Sequence, residues 1–273
     1  MDKHLICLDL DGTLLTDEKK ISPYTKDVLT TLKQQGHELM ISTGRPYRAS
    51  VPYYKELKMT TPVVNFNGAF VHHPTDFNFV NKHETLDLDV TRAIAKKVPE
   101  LNIKNIVAEV KDNIYIHYHD SVLFDAFKMG DPKISVGNLY DTLNEDVTSI
   151  LVQAEESEMA HIRQTLDELF AEVIEQRRWG APYPVLEIIK KGINKAIGVD
   201  YARDFLNIPQ SRTIAFGDED NDTEMLQYVE HGVAMKNATD DIRGISKYIT
   251  EKNNNNDGIG HFLNEFFDLG MKP

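Results

Sequence analysis

The chain has 273 residues, of which 41% are hydrophobic and 27% are charged. This composition is typical of a folded globular protein and excludes wholesale disorder, collagen-like repeats and coiled coils. Lys and Arg number 30 against 43 Asp and Glu, a formal net charge of −13. Because such a surface repels polyanions, nucleic acid is not an expected partner. The length favours two modest domains over one.

The single cysteine and the short apolar runs indicate the cellular compartment of the protein. Cys7 cannot form an internal disulfide and stands in the apolar run 5–8, which suits a reducing compartment. No apolar run approaches the roughly 20 residues of a membrane helix or the roughly 7–15 of a secretory signal. We therefore predict a cytoplasmic protein, a monomer or a small homo-oligomer, with no membrane as partner.

The first third of the chain alternates buried strands with helical patterns. Strands are predicted over 5–10, 38–42 and 62–66. The first is a nearly continuous apolar run that ends at Asp11-Gly12, as a central parallel strand does when both of its faces are covered. Ser22 as cap and Pro23 at the first helical position predict a helix that ends at Gly36. Alternation of this kind is typical of a doubly wound parallel sheet.

The middle of the chain changes to hairpins. Strands are predicted over 103–109, 113–118, 148–154, 173–178 and 184–189, and an amphipathic helix over 158–170. This order is typical of an α+β unit with an antiparallel sheet. Near its end, Trp179 and Tyr183 either line a substrate pocket or pack in the core, and packing is the favoured interpretation.

The α/β alternation returns after Gly192. Helices are predicted over 195–206 and 223–228, and strands over 213–216 and 232–235. We therefore predict one α/β domain, residues 1–82 and 190–273, interrupted by an insertion over 83–189. The predicted fold class is α/β, a doubly wound, Rossmann-like parallel sheet with an inserted α+β domain.

An aspartate pair stands at the end of the first predicted strand, where parallel α/β sheets bind their ligands. Asp9 and Asp11 are two residues apart, so the period of a strand points both side chains to the same side. Such a pair either binds a divalent cation or divides the work of nucleophile and general acid/base. The plainer alternative is an acidic turn that caps a helix.

Three further segments carry matching chemistry. Thr43 and Gly44 follow the second strand and offer a hydroxyl and flexible amides to a phosphoryl group, although such a pair is usually only a turn. Lys195 begins a helix and would neutralise phosphoryl charge, although a single helical lysine is usually solvated. The acidic run 217–222 follows a buried strand, and repulsion among its carboxylates favours a hard cation.

In this order the segments resemble the haloacid dehalogenase superfamily, specifically its Cof-type IIB branch of phosphatases. The matching segments are Asp9-Leu10-Asp11-Gly12-Thr13-Leu14, Ser42-Thr43-Gly44-Arg45, Lys195 and Gly217-Asp218-Glu219-Asp220-Asn221-Asp222. The resemblance extends to Asn67-Gly68-Ala69 and to residues 233–238 and 253–258. Lys236 departs from it, because relatives commonly carry glycine there. The resemblance implies that the insertion 83–189 is a cap domain.

The resemblance also implies a Mg²⁺-dependent phosphatase of small phosphorylated metabolites, such as sugar phosphates. Asp9 would attack phosphorus and form an aspartyl phosphate, and Asp11 would act as general acid and then base. Mg²⁺ would be held by Asp9, the backbone carbonyl of Asp11, and Asp218. The residues expected to bind the phosphate are Leu10, Thr43, Gly44, Lys195 and Asn221, with Asp222 in a supporting role.

Two other functions stay open on the sequence. A phosphomutase would use the same covalent chemistry and pass the phosphoryl group to a second sugar hydroxyl. A regulatory domain would bind phosphate without turnover, and the complete set of Asp9, Asp11, Thr43, Lys195 and Asp218 argues against it.

Overall fold

The computed structural model describes residues 2–178 and 185–273, so Trp179 and Tyr183 lie outside the described residues. It forms two compact units. One comprises Met1–Arg45, Ser50–Lys82 and Asn194–Pro273, and the other Pro46–Ala49 and His83–Ile193. Within the described ranges, no helix has both the length and the apolar character needed to cross a membrane.

The helices and strands follow one another along the whole described chain. Over residues 1–83 they are β1 (Leu5–Leu8), α1 (Pro23–Gln34), β2 (Glu38–Ile41), α2 (Tyr47–Glu56), β3 (Val63–Asn65), β4 (Phe70–His72) and β5 (Lys82–His83). Over residues 84–193 they are α3 (Leu88–Lys96), β6 (Asn105–Val110), β7 (Asn113–Ile116), α4 (Ser121–Phe127), β8 (Ile134–Val136), α5 (Leu139–Thr142), β9 (Ser149–Gln153), α6 (Glu156–Phe170), β10 (Ile174–Arg178) and β11 (Val185–Lys190). Beyond them lie α7 (Lys195–Phe205), β12 (Thr213–Gly217), α8 (Thr223–Tyr228), β13 (His231–Ala234), α9 (Asp240–Ile245), β14 (Tyr248–Ile249) and α10 (Gly258–Phe266).

A five-stranded sheet forms the centre of the first unit. Its order is β14-β13-β12-β1-β2, and every neighbouring pair is parallel. All four residues of β1 are fully buried, because apolar side chains cover both faces of this central strand. The predicted α/β fold with a doubly wound parallel sheet is therefore confirmed.

A smaller sheet extends the first unit beyond β2. It has the order β3-β4-β5, and β3 pairs with β4 antiparallel. A single parallel bridge between Ser42 and Val64 links the end of β2 to β3. The third predicted strand, over 62–66, is thus present as β3. The Ser42–Val64 bridge links it to the parallel sheet.

The second unit contains a six-stranded sheet of order β10-β11-β9-β6-β7-β8. The predicted hairpin of β6 and β7 is present, and these strands pair antiparallel. The predicted antiparallel sheet is present with one exception at its edge, where β7 and β8 run parallel. The helix α4 lies between these two strands in the chain, and such a crossover is what a parallel pair requires.

Apolar side chains cover both faces of this second sheet. Along β6, Ile106 and Ala108 pack with Met159 of α6 in one cluster. Val107 faces the other way and packs with Leu151 of β9 in a second cluster. Alternate residues of one strand therefore serve two separate packing layers.

At the start of α1, Ser22 is the N-cap residue, as predicted. Pro23 begins the helix as predicted, but the side chain of Ser22 makes no capping hydrogen bond. Instead, Asp257 Oδ1 accepts from the Thr25 amide at 3.1 Å and from the Ser22 hydroxyl. The helix is thus capped by a carboxylate far along the chain, which accepts hydrogen bonds from both the free amide and the serine.

Candidate active site

The sheet register brings the loops after three strands to one edge. Leu8 of β1 pairs with Ile41 of β2 on one side and with Phe216 of β12 on the other. The residues that follow these strands therefore begin at the same level, the carboxyl edge of the parallel sheet. Asp9, Thr43 and Asp218 all lie just beyond it, and all three are buried.

Lys195 lies at the centre of a buried cluster of carboxylates. Its Nζ donates to Asp9 Oδ1 at 2.7 Å and to Asp222 Oδ1 at 2.7 Å, and its side chain is fully buried. Carboxylate oxygens of Asp9, Asp218 and Asp222 all lie within 4.8 Å of one another. The structure thus joins three segments that are far apart in the sequence around one ammonium group.

Helix α7 packs closely against β3, and this approach places Lys195 in the site. Asn194 caps the helix, its Oδ1 accepting from the Ile197 amide at 3.2 Å. One turn further on, an added Cβ at Gly198 would lie 2.5 Å from Val64 Cγ1 in β3. Glycine therefore permits a helix-to-strand approach that places Lys195, the first residue of the helix, beside Asp9.

The electrostatics of the cluster favour an added cation. Burial raises the pKa of Asp9 to about 7, against the lowering effect of Lys195. Burial and the charges of Asp9 and Asp222 raise the pKa of Asp218 to about 8. Burial acts to lower the pKa of Lys195, but the two adjacent carboxylates outweigh it and raise that pKa above its ordinary value. One ammonium does not balance three buried carboxylates.

Asp222 has both of its oxygens occupied by protein donors. Oδ1 accepts from Lys195, and Oδ2 accepts from the backbone amides of Asp218 and Glu219 at 3.0 and 3.3 Å. A carboxylate held in this way orients its partners. Asp222 therefore positions both the lysine and the segment that carries Asp218.

Asp9 and Asp218 each keep one carboxylate oxygen available. Lys195 occupies Asp9 Oδ1, and the hydroxyl of Thr13 donates to Asp218 Oδ1 at 2.6 Å. No hydrogen bond to the Oδ2 atoms of these two residues is found among the described residues. Oxygen donors in an uncompensated acidic cluster are the ligands that hard cations such as Mg²⁺ prefer. The residues present therefore fit a divalent cation.

Gly12 shapes the turn that brings the first strand's end against Asp218. Its φ is +72°, a left-handed conformation, and an added Cβ would lie 2.1 Å from Asp218 Oδ2. A glycine is thus required both by the backbone and by the space beside the carboxylate. Asn237 fixes the same turn from outside, its Nδ2 donating to the Gly12 carbonyl at 2.7 Å.

Asp11 has surroundings unlike those of Asp9. Arg45 donates to both of its oxygens, Nε to Oδ2 and Nη2 to Oδ1, each at 2.6 Å, and Lys19 Nζ donates to Oδ1 at 2.6 Å. Partial burial acts to raise the pKa of Asp11, but these two cations outweigh it and hold the pKa below its usual value. The carboxylate of Asp11 is outside the cluster of three aspartates.

Thr43 and Gly44 form a compact loop with Asn67. The Thr43 carbonyl accepts from the Asn67 amide at 3.1 Å, and an added Cβ at Gly44 would lie 3.2 Å from the Asn67 side chain. Asn221 Nδ2 donates to Asn67 Oδ1 at 2.9 Å. Leu10 is buried, and its carbonyl accepts from the Leu15 amide at 2.8 Å.

Sequence reasoning assigned no role to three residues that hold this site together. Thr13 donates to Asp218, Arg45 donates to Asp11, and Asn67 links the Thr43 carbonyl to Asn221. All three lie inside the segments that carry the family resemblance. Nothing local to Asn67 indicates its left-handed backbone, φ 53°, apart from its type, since asparagine tolerates that conformation better than most residues.

Comparison with known proteins identifies the family. The sequence pattern of the haloacid dehalogenase-like hydrolases matches residues 6–263. The chain is 49% identical over 266 residues to the 5-amino-6-(5-phospho-D-ribitylamino)uracil phosphatase YitU of Bacillus subtilis (strain 168), which covers 97% of this chain and 98% of that protein. This chain therefore belongs to the haloacid dehalogenase-like hydrolase family, and the resemblance seen in its sequence is confirmed.

Solved structures share the same fold. A haloacid dehalogenase-like hydrolase from Bacteroides thetaiotaomicron superimposes with a TM-score of 0.84 at 26% identity, covering 97% of this chain and 100% of its own. A haloacid dehalogenase-like hydrolase from B. subtilis does so with a TM-score of 0.79 at 24% identity, covering 95% and 98%. Together with the family pattern and the likeness to YitU, this shows that the chain is an enzyme of this hydrolase family.

Proposed function

We propose that this enzyme is a Mg²⁺-dependent phosphatase that hydrolyses monoesters of small phosphorylated metabolites through an aspartyl phosphate on Asp9. The observation that carries the proposal is the buried constellation in which Lys195 bridges Asp9 and Asp222 beside Asp218. A cation and a lysine together would offset the repulsion between a phosphate dianion and these carboxylates.

The proposed reaction has two steps at Asp9. First, the Asp9 carboxylate attacks phosphorus, the bond from phosphorus to the ester oxygen breaks, and Asp11 gives a proton to the departing oxygen. Water then attacks the aspartyl phosphate while Asp11 takes its proton, which releases phosphate and restores Asp9. Asp9 is buried, and the Asp11 side chain is 44% exposed, within reach of the water that the second step needs.

The other site residues would bind the phosphoryl group. Asp9 and Asp218, with the Asp11 carbonyl, would hold Mg²⁺, which when bound supplies positive charge to the phosphoryl oxygens. Lys195 would take charge that develops on those oxygens in the transition state. The groups that would hold the remaining phosphate oxygens are the Leu10 and Gly44 amides, the Thr43 hydroxyl and the Asn221 side chain.

Likeness to YitU suggests the substrate. We propose 5-amino-6-(5-phospho-D-ribitylamino)uracil, the compound in that relative's name, because the two chains are 49% identical over nearly their whole lengths. Its phosphate ester is that of a primary alcohol on a sugar-derived chain, which falls in the class expected from the sequence. The second unit, which includes His83–Ile193, would act as the cap that selects this leaving group.

Phosphate release from a panel of esters tests this proposal. The panel holds the ribitylaminouracil phosphate, two hexose phosphates, a pentose phosphate and p-nitrophenyl phosphate, each with Mg²⁺. We expect kcat/KM for the ribitylaminouracil ester to exceed that of the others by at least about tenfold, the scale of discrimination by pocket contacts. Asp9→Asn is the control, because it removes the proposed nucleophile while the side chain keeps its size.

The same panel distinguishes the two alternatives. A phosphomutase would convert a sugar monophosphate to its isomer without accumulating free phosphate. A regulatory phosphate-binding domain would release no phosphate from any ester while still binding inorganic phosphate. Stoichiometric phosphate release from a monoester contradicts both.

A further inference from the structure

Arg45 makes a two-pronged contact with the Asp11 carboxylate. Its Nε and Nη2 donate to separate oxygens of Asp11, each at 2.6 Å. Parallel hydrogen bonds of this kind fix the plane of a carboxylate as well as its position. The guanidinium is itself mostly enclosed, with 17% of the Arg45 side chain exposed. It also lies over the ring of Tyr53, 5.6 Å from the centre.

The backbone of Arg45 is tied to the phosphate-binding loop. Its amide donates to Thr43 Oγ1 at 3.2 Å. Its carbonyl accepts from Asn65 Nδ2 at 2.8 Å and from the Phe66 amide at 3.3 Å. The residue thus connects the loop that would hold the phosphate to the side chain that would protonate the leaving group.

Lys19 also contacts Asp11 but is built differently. Its side chain is 53% exposed, and it reaches one oxygen only. An exposed single ion pair on a flexible side chain contributes little to orientation. Of the two cations, Arg45 alone has the geometry to set the direction of the carboxylate.

We propose that Arg45 is the positioning residue of the reaction, orienting the Asp11 carboxylate relative to the phosphate-binding loop. This inference rests on the proposed function, in which Asp11 acts as general acid and base. Arg45 would act through Asp11, with no contact to the reacting atoms. Loss of the two hydrogen bonds from Arg45 to Asp11 should therefore impair proton transfer and leave phosphate binding intact.

A double-mutant cycle with two esters tests the proposal. Single-turnover phosphorylation is measured for Arg45→Gln, Asp11→Asn and the double variant, with an alkyl phosphate and with p-nitrophenyl phosphate. We expect Arg45→Gln to slow the alkyl ester about 10- to 100-fold, part of the 10²–10⁴ that a general acid supplies. The aryl ester, whose leaving group needs no proton, should change by less than about threefold, and KM should stay unchanged for both.

The cycle should also show that the two residues act as one unit. In the Asp11→Asn background, Arg45→Gln should have no further effect, to within about twofold. Multiplied effects of the two substitutions would overturn the proposal. So would an equal rise in KM for both esters, because that result would make Arg45 a phosphate ligand.

Two further variants serve as controls. Arg203→Gln removes another arginine of similar exposure, 20%, that is paired with Asp200, and it should leave both rates near wild type. Lys19→Gln should change the alkyl rate by less than about threefold. An effect of Lys19→Gln equal to that of Arg45→Gln would overturn the proposal, because simple charge at Asp11 would then explain both.

A crystal structure of Arg45→Gln separates this proposal from the proposed function. If wild-type enzyme releases no phosphate from any ester, the proposed function fails. The structure of the variant still decides the positioning role. We expect the Asp11 carboxylate to turn away from its wild-type direction, and an unchanged direction would overturn the inference.

Discussion

Asp9 and Asp11 are two residues apart, yet they lie in opposite electrostatic surroundings. Asp9 is buried against a lysine and two further carboxylates, and Asp11 is half exposed and held by two cations. The predicted strand period does not reach these residues, because β1 ends at Leu8, and the carboxylate of Asp11 lies outside the cluster that includes Asp9. Burial raises the pKa of Asp9, and the two cations lower that of Asp11.

Substitution should separate these two aspartates. Asp9→Asn removes the nucleophile and should abolish both phosphate release and the covalent intermediate. Asp11→Asn should slow single-turnover phosphorylation far more with a sugar phosphate than with p-nitrophenyl phosphate, because only the alkoxide leaving group needs a proton. With the aryl ester, Asp11→Asn should give a burst of nitrophenol followed by slow turnover.

The outcome that contradicts this assignment is equal slowing of both esters without a burst. Asp11 would then contribute only to metal binding or to positioning. Mass spectrometry of the quenched Asp11→Asn enzyme supplies an independent check, since phosphate should be found attached to Asp9.

At the level of elements, the approach of α7 to β3 is the contact on which the site depends. Gly198 faces Val64 with no room for a Cβ, and three residues earlier the same helix presents Lys195. Both residues are buried, so a shift of the helix would be felt directly at Asp9. Close packing of this kind leaves the helix no free space into which to move.

Gly198→Ala should destabilise the fold and lower activity together. Alanine is favoured over glycine in a helix by up to about 1 kcal/mol, but the clash with Val64 should outweigh that gain and cost about 1–3 kcal/mol in the free energy of unfolding. Urea unfolding measures the loss. Val64→Ala in the same chain should restore part of it by making room.

Gly244→Ala is the matched control for this prediction. Gly244 also lies within a helix, α9, but nothing stands within 4 Å of an added Cβ there. We expect the free energy of unfolding to stay unchanged or to rise by less than about 1 kcal/mol. Equal behaviour of the two alanine variants would show that the clash is unimportant.

A buried histidine links pH to the stability of the second unit. His117 Nδ1 accepts from the Leu139 amide at 3.2 Å, at the start of α5. Burial lowers the pKa of His117 below its ordinary value of 6.5. The folded chain therefore resists protonation at a pH where the unfolded chain accepts the proton.

Stability should consequently fall as the pH falls from about 6.5, since the unfolded chain then binds more protons than the folded one. His117→Gln should give a shallower loss of the free energy of unfolding between pH 7.5 and 5.5 than wild type. Replacing His161, which is exposed, should leave the wild-type slope in place. An unaltered slope in His117→Gln would contradict the assignment.

For the molecule as a whole, the acidic cluster would couple folding to the binding of the proposed cation. Asp9 and Asp218 face each other and Asp222 with one ammonium among them, so their ionised forms repel in the absence of a cation. A cation that binds the folded chain and not the unfolded one stabilises it by mass action. Binding of the proposed metal would therefore raise the stability of the whole fold.

Removal of metal should abolish activity and lower thermal stability. Excess EDTA should stop phosphate release, and added Mg²⁺ should restore it. Mg²⁺ at 100 times its dissociation constant should raise the free energy of unfolding by about 2.7 kcal/mol. Asp218→Asn should lose much of this Mg²⁺-dependent stabilisation. Full activity in EDTA, with the metal shown to be gone, would contradict the proposal.

The sequence by itself determined the parallel core and the residue types at its carboxyl edge. Continuous apolar runs such as residues 5–8 must be buried on both faces, and the turn residues that follow them end the strands locally. Apolar runs and turn residues act through residues that are adjacent in the sequence. The strands β1, β2 and β12, together with the acidic and hydroxyl residues after them, could therefore be predicted without coordinates.

Only the tertiary structure decided which side chains meet. Lys195 pairs with Asp9 across 186 residues, and the start of α1 is capped by Asp257 across more than 230. The sequence likewise did not predict that Arg45 donates two hydrogen bonds to Asp11, or that both oxygens of Asp222 accept from protein donors. Partners of this kind are selected by packing and by the free energy of satisfying buried polar groups, which no local pattern specifies.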